Sequence, residues 1–280
     1  MVTVVADWKK YSLNSQAKNN MDTYSKWISF YTMLRKDIVR MFRIWVQTFL
    51  PSVITSCLYF LIFGTVLGSR IGTMQGVNYM SFVVPGLVML AIVTNAYSNT
   101  SFTFFQSKFF FRGIDEILVS PTPPWLLIAG FISGGIVRGV LVGAIVLLVS
   151  IFFTGLQLTI ASIGVIFIFA LLTALVFALA GLVNGVYAKS LDGINIVPTF
   201  VLTPLVYLGG VFYSVHSLPS WAQGFTYVNP IFYLINGFRY GFLGVADIPL
   251  WISFAVLGGM IATLIAINWY LIRTGLGLKQ

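Results

Sequence analysis

Very little in this chain can perform acid–base, metal or redox chemistry. Its 280 residues include one cysteine, Cys57, one histidine, His216, and seven acidic side chains. A lone cysteine closes no disulfide within the chain, and one cysteine with one histidine falls short of a metal site. The same scarcity leaves no serine–histidine–aspartate or cysteine–histidine set for nucleophilic catalysis. No Gly-x-x-x-x-Gly-Lys-Ser/Thr phosphate loop occurs, so binding of ATP by that route is not expected. Charge of either sign is also rare. Charged residues make up 8% and apolar residues 58%, with a mean hydropathy of +0.94. That balance provides too little polar surface for a soluble globule.

Long apolar runs are what the chain does have. A bilayer core about 30 Å thick needs roughly 20 apolar helical residues. Residues 44–67, 82–105, 126–152, 159–186, 194–212 and 250–272 meet that requirement. The third and fourth runs lie within a long stretch free of charge, and the Phe-Thr-Gly-Leu-Gln-Leu break at 153–158 splits them into a tight hairpin. Trp45, Trp125, Trp251 and Trp269 mark run ends, as an interfacial aromatic belt requires. The first run begins only near Ile44, which predicts an uncleaved insertion signal.

Positive charge sets the orientation. With residues 1–43 cytoplasmic, thirteen of the 16 Lys and Arg residues fall on that side, leaving Arg70 and Arg239 opposite and Arg138 within a run. The cations gather ahead of the first run rather than on a folded basic face, which argues against nucleic acid as a partner. The sequence therefore predicts an all-α, polytopic membrane protein with six transmembrane helices and both termini cytoplasmic. A shorter apolar run, 231–243, is interrupted by Asn236, Gly237 and Arg239. It is too short to cross, and predicts outer re-entrant or interfacial helices between spans five and six, broken at Asn229-Pro230.

Before the first span, Asp22 is placed to cap a helix over about 24–45. Tyr24, Trp27, Ile28, Tyr31, Leu34, Ile38, Phe42 and Trp45 form an apolar stripe at three- and four-residue steps. Ser25, Ser29, Thr32, Lys36, Arg40 and Arg43 form a polar one, suiting an interfacial helix whose cations meet anionic lipid headgroups. Residues 1–21 read as a flexible cytoplasmic tail, 22–43 as the interfacial helix and 44–280 as the transmembrane domain.

All seven acidic residues lie outside the spans. Ion-coupled carriers place carboxylates or broken-helix sites near the midplane, so such a carrier is disfavoured. A nontransporting membrane scaffold remains an alternative. If something moves uphill, the energy enters from another polypeptide. The loop between spans two and three is the candidate for that input: Gly113 ends one helix, Asp115 and Glu116 suit the first turn of another, and Pro121 stops it. Ile114, Ile117 and Leu118 then share one side of a short amphipathic helix; a plain structural turn is the alternative. Arg138 sits deep in span three, where an unpaired guanidinium costs about 2.5–3.5 kcal/mol. Its candidate partners are Asn95 or Asn99, backbone carbonyls or a substrate headgroup, making it either an anchor or a substrate contact. Asn95 and Asn99 share a face and serve either interhelical hydrogen bonding or the lining of a path.

These residues carry a resemblance. The strings Phe82-Val83-Val84-Pro85-Gly86-Leu87, Val197-Pro198-Thr199-Phe200, Gly209-Gly210-Val211-Phe212-Tyr213-Ser214 and Gly237-Phe238-Arg239-Tyr240-Gly241, with the 112–121 loop, resemble permease subunits of ABC-2 type exporters over about residues 30–280. The resemblance implies a homodimeric permease in the bacterial inner membrane working with two copies of a separate ATPase, which would hold the ATP and Mg. It implies no cofactor on this chain. Residues 113–120 would be a coupling helix, with Asp115 and Glu116 as polar contacts and the 189–193 loop, including Asp192, as a smaller contact. The helix at 24–45 would correspond to the family's connecting helix beside the ATPase. An amphiphilic or lipid-linked substrate is the class implied.

Overall fold

The computed structural model describes residues 21–74, 76–110, 122–155 and 160–277. Helix α1, Thr23–Arg43, begins where the Asp22 carboxylate accepts the Thr23 amide hydrogen at 2.8 Å. At Ile44 the backbone turns (φ −111°, ψ 37°) into α2, Trp45–Tyr59, which continues through a π-helical segment, Phe60–Leu67, and Gly68–Ile71. A minimal hairpin follows, β1 (Thr73–Met74) antiparallel to β2 (Val77–Asn78), with Thr73 opposite Asn78. Then come α3 (Tyr79–Phe109), α4 (Pro124–Thr154) and α5 (Ile160–Tyr187). They are followed by α6 (Leu191–Leu208), α7 (Ser220–Val228), α8 (Pro230–Leu243) and α9 (Leu250–Thr274).

Six helices among the described residues, α2 to α6 and α9, are long and apolar enough to cross a membrane. They match the six expected runs, with ends shifted by a few residues; α3 starts at Tyr79 and reaches Phe109, whereas α6 ends at Leu208. The break expected at Asn229-Pro230 is also present: Asn229 ends α7, and its side chain caps α8 by accepting the Ile231 amide hydrogen.

Helix α3 is the central element, with 72% of its apolar window buried against 11% for α9. Glycine explains why. Along α4, Gly135, Gly139 and Gly143 face Thr100, Ala96 and Ile92 of α3 so closely that a Cβ on any of them would collide. On the other flank, Gly181 and Gly185 of α5 lie against the backbone carbonyls of Tyr97 and Ser101. Lipid offers helices little hydrophobic reason to associate, so close backbone approach through small residues supplies the contact.

Helix α6 has an internal fault with a chemical cause. Pro204 lacks an amide hydrogen, and the turn before it, Pro198–Leu202, widens to π geometry. Both the backbone amide and the hydroxyl of Thr203 donate to the Pro198 carbonyl.

At one end of the bundle the Lys108 ammonium donates to the carbonyls of Val186 and Gly277, tying α3 to α5 and to the residues after α9. This is the basic end, where the cations of α1 also lie. At the opposite end α8 packs on α3, α5 and α9. The residues that interrupt its apolar run are its buried anchors. Asn236 donates to Ile248 O and Ser253 Oγ and accepts from the amides of Asp247 and Ile248. Arg239, 1% exposed, forms an ion pair with Asp247, donates to Gly210 O at 2.8 Å and stacks over Phe82 at 4.4 Å.

The two-striped reading of α1 requires correction. The helix has three faces. Tyr24, Trp27, Ile28 and Tyr31 are exposed as a membrane face requires, and Arg35, Lys36 and Arg43 are exposed beside them. A third face, Met33, Asp37 and Met41, packs inward, with Met33 on Gly130 and Asp37 on Gly134 of α4. Arg40, assigned to the headgroup stripe, turns toward α3 because Thr103 and Gln106 offer it acceptors there.

Candidate functional site

Leu90, Thr94, Ser98, Phe102 and Gln106 recur at four-residue steps and share one side of α3. This side is not covered by the glycine-bearing faces of α4 and α5. Instead α2 and α6 flank it toward the end opposite the basic one, leaving a cavity of about 310 Å³. Hydroxyl groups of Ser52, Thr55, Ser56, Thr94 and Thr203 line it together with Leu87, Leu90 and Val206. At one end of the cavity, α2 and α6 meet at an aromatic cluster that includes its lining residues Tyr59 and Tyr207. The Tyr59 and Tyr207 hydroxyls are 3.2 Å apart, and Phe63 stacks on Phe212 with ring centroids 4.5 Å apart. The result is a trough floored by α3, polar in its middle and closed by aromatics at one end.

The three residues singled out within the spans meet this trough differently. Asn95 donates to Ser52 Oγ at 3.3 Å and to Ala91 O, joining α3 to α2 at the edge of the cavity. Asn99, one turn nearer the basic end, is buried. Its Oδ1 accepts from Arg138 Nη1 of α4 at 3.4 Å and from Arg40 Nη2 of α1 at 3.3 Å. Of the two amides proposed as partners for Arg138, Asn99 therefore takes the bond. Two guanidiniums converge on one neutral amide oxygen, at the long end of hydrogen-bond geometry. Arg138 Nε is buried and has no hydrogen-bond partner among the described residues.

Arg40 is better held. It also donates to Gln106 Oε1 and Thr103 Oγ1, and lies 3.4 Å from Asp37 Oδ1. Burial of Asp37 against α4 raises its carboxyl above the ordinary value, and Arg40 and then Lys36 offset only part of that rise. Arg40 was missed as a site residue because its spacing places it with exposed cations. Asp37 was the available signal: the sole carboxylate among the cations of α1, three residues before Arg40.

The proposed coupling residues Gly113, Ile114, Asp115, Glu116, Ile117 and Leu118 lie outside the described residues, as do residues 1–20 of the tail. Asp192 is exposed in the first turn of α6 at the basic end. A carboxylate there suits the positive end of the helix dipole. Among the described residues no cluster of His, Cys, Asp or Glu could hold a metal ion.

Comparison with known proteins identifies this arrangement. The ABC-2 type transporter profile matches residues 28–243, from α1 to the last residue of α8. The chain belongs to the ABC-2 type transporter family. It is 51% identical over 254 residues to the inner membrane transport permease YadH of Escherichia coli K12, covering 91% of this chain and 98% of that one. It is 24% identical over 226 residues to nodulation protein J of Rhizobium meliloti, covering 78% and 81% of the two chains. As an ABC-2 chain it is a membrane permease subunit and is not itself catalytic. The matched segment contains the trough, Arg40, Arg138 and both asparagines.

Proposed function

We propose that this chain is the transmembrane half of an ATP-driven exporter in the bacterial inner membrane, pairing with a second copy of itself and with two copies of a separate ABC ATPase. ATP and Mg reside on that partner. Its binding energy enters through residues 113–120, with Asp192 as a second contact, and rocks the two permease copies against each other. Both termini face the cytoplasm, so the basic end is the inner one, as retention of positive charge on the cytoplasmic side requires. The α7–α8 pair re-enters from the outer side and caps the path. The substrate is amphiphilic, as a trough that is polar in its middle and apolar along its rims suits.

One observation carries this reading. Thr55, Thr94 and Thr203 are exposed at the trough although they sit on membrane-crossing helices. The flanking helices α2 and α6 bury only 17% of their windows. Polar side chains within spans face protein or water rather than lipid. A second copy laid over this face would enclose the troughs as a shared path. Cysteine cross-linking tests the pairing. In a Cys57→Ser background, Thr55→Cys is expected to give an oxidised dimer in native membranes. Phe152→Cys, on the exposed end of α4, is expected to remain monomeric. A monomer for Thr55→Cys under conditions that oxidise other surface thiols would contradict the pairing.

A further inference from the structure

A separate cavity of about 350 Å³ lies at the basic end, between the start of α1 and the start of α4. Trp27 and Phe30 of α1, with ring centroids 6.0 Å apart, form one wall, and Trp125, Leu126 and Ala129 of α4 form the other. Trp27 and Trp125 remain 65% and 48% exposed, so apolar surface is left for an occupant. Lys26 also lines the cavity and is half-buried. Among the described residues no carboxylate pairs with its ammonium; that of Asp22, one turn earlier, caps the Thr23 amide instead. An occupant that suits the cavity therefore brings an aromatic or aliphatic side chain with a carboxylate beside it.

The chain itself contains such a segment. Val4-Val5-Ala6-Asp7-Trp8 joins four apolar residues to Asp7, the sole acidic residue among residues 1–20. Thr23, which lines the cavity, lies two positions after Met21, where the described chain begins. From Trp8 to Met21 the chain spans up to about 45 Å, against about 10 Å of helix from Thr23 to Phe30. Reach is therefore ample, and a tethered segment meets its site at an effective concentration on the order of millimolar. The family profile begins at residue 28, so the segment lies outside the matched part of the chain. We propose that the cavity is the seat of the chain's own residues 4–8, with the Trp8 indole between Trp27, Phe30 and Trp125 and the Asp7 carboxylate beside Lys26. Seated there, the segment straps the start of α1 to the start of α4. The strap stands whether or not the transport reading does.

Disulfide trapping in native membranes tests the strap on the full chain, with Cys57→Ser as background. Ala6→Cys paired with Ala129→Cys is expected to close an intrachain disulfide, since the two Cα atoms would come within bridging distance. It is read as a linked peptide pair by mass spectrometry, in a band of monomer mobility. Ser15→Cys with Ala129→Cys is the control. Ser15 stands closer to the tether, so mere proximity favours it, and the strap predicts the reverse. Added to the first pair, Trp8→Ala should lower the linked fraction about tenfold, because a ring that buries about 150–250 Å² dominates so small a contact. Asp7→Lys, which sets like charges together, should lower it as well. Should the Ala129→Cys chain fail to fold, Asp7→Cys with Lys26→Cys replaces the ion pair by a disulfide and is expected to link. Linkage no better than that of the Ser15→Cys control would overturn the proposal and leave the cavity to lipid. A disulfide of dimer size would also overturn it, by placing the segment on a second copy. So would a linked fraction indifferent to Trp8→Ala.

Discussion

Arg138 and Arg239 are both guanidiniums removed from water, and their surroundings assign them different work. Arg239 is paired with Asp247, bonded to Gly210 O and stacked on Phe82. Removing one partner of such a pair leaves a buried charge uncompensated, typically at a cost of 3–5 kcal/mol. Asp247→Asn is accordingly expected to lower the detergent-solubilised unfolding temperature strongly. The double variant R239M/D247L should recover part of that loss, because it removes both charges. An unchanged melting curve for Asp247→Asn would show the pair to be incidental. Among the described residues Arg138 has a 3.4 Å bond to Asn99 and a buried Nε without a hydrogen-bond partner. So weakly held a group contributes little to folding and has capacity left for a ligand. Arg138→Gln is expected to elute as folded protein while lowering, by about tenfold, the ATP hydrolysis its partner couples to transport. That factor equals about 1.4 kcal/mol, close to the lower bound of about 1.5 kcal/mol for one hydrogen bond to a charged group. Aggregated protein would instead make Arg138 an anchor.

At the scale of helices, α3 is a spine gripped by two glycine ridges. A side chain at Gly181 would meet the Tyr97 carbonyl, which is backbone and cannot swing away, whereas Gly164 on the same α5 meets nothing within 4 Å. Gly181→Leu is expected to destabilise by about 1–3 kcal/mol or more, the usual cost of overpacking. Gly164→Leu should be close to neutral, and thermal unfolding of the pair in one detergent checks the contrast. Much at this scale was legible in the sequence. Run length alone located all six crossing helices, and Asn229-Pro230 located the break between α7 and α8. The third face of α1 was not legible. Met33, Asp37 and Met41 look like ordinary members of an amphipathic pattern until Gly130 and Gly134 of α4 provide a surface to receive them. The Arg239–Asp247 pair was hidden for a related reason. It forms because the chain after α8 folds back on Asn236, a tertiary event with no period of its own. Among the trough residues, Asn95 and Asn99 stood out as amides in an apolar run. Arg40 did not, since charge spacing on a helix cannot tell a cation facing lipid headgroups from one facing Thr103.

Across the whole molecule, the spans frame a trough that is polar in its middle and closed by aromatics at one end. On the proposed reading that trough holds and guides an amphiphile, and a neighbouring ATPase supplies the energy to move it. The reading makes residues 113–120 the place where that neighbour pulls, on the same side of the membrane as the cations of α1. Cysteine accessibility tests this most directly. With Cys57→Ser as background, Glu116→Cys should resist a membrane-impermeant maleimide in intact spheroplasts and react fully in inside-out vesicles. Labelling from the outer side in intact spheroplasts would contradict the account, because no cytoplasmic ATPase could then grip the loop.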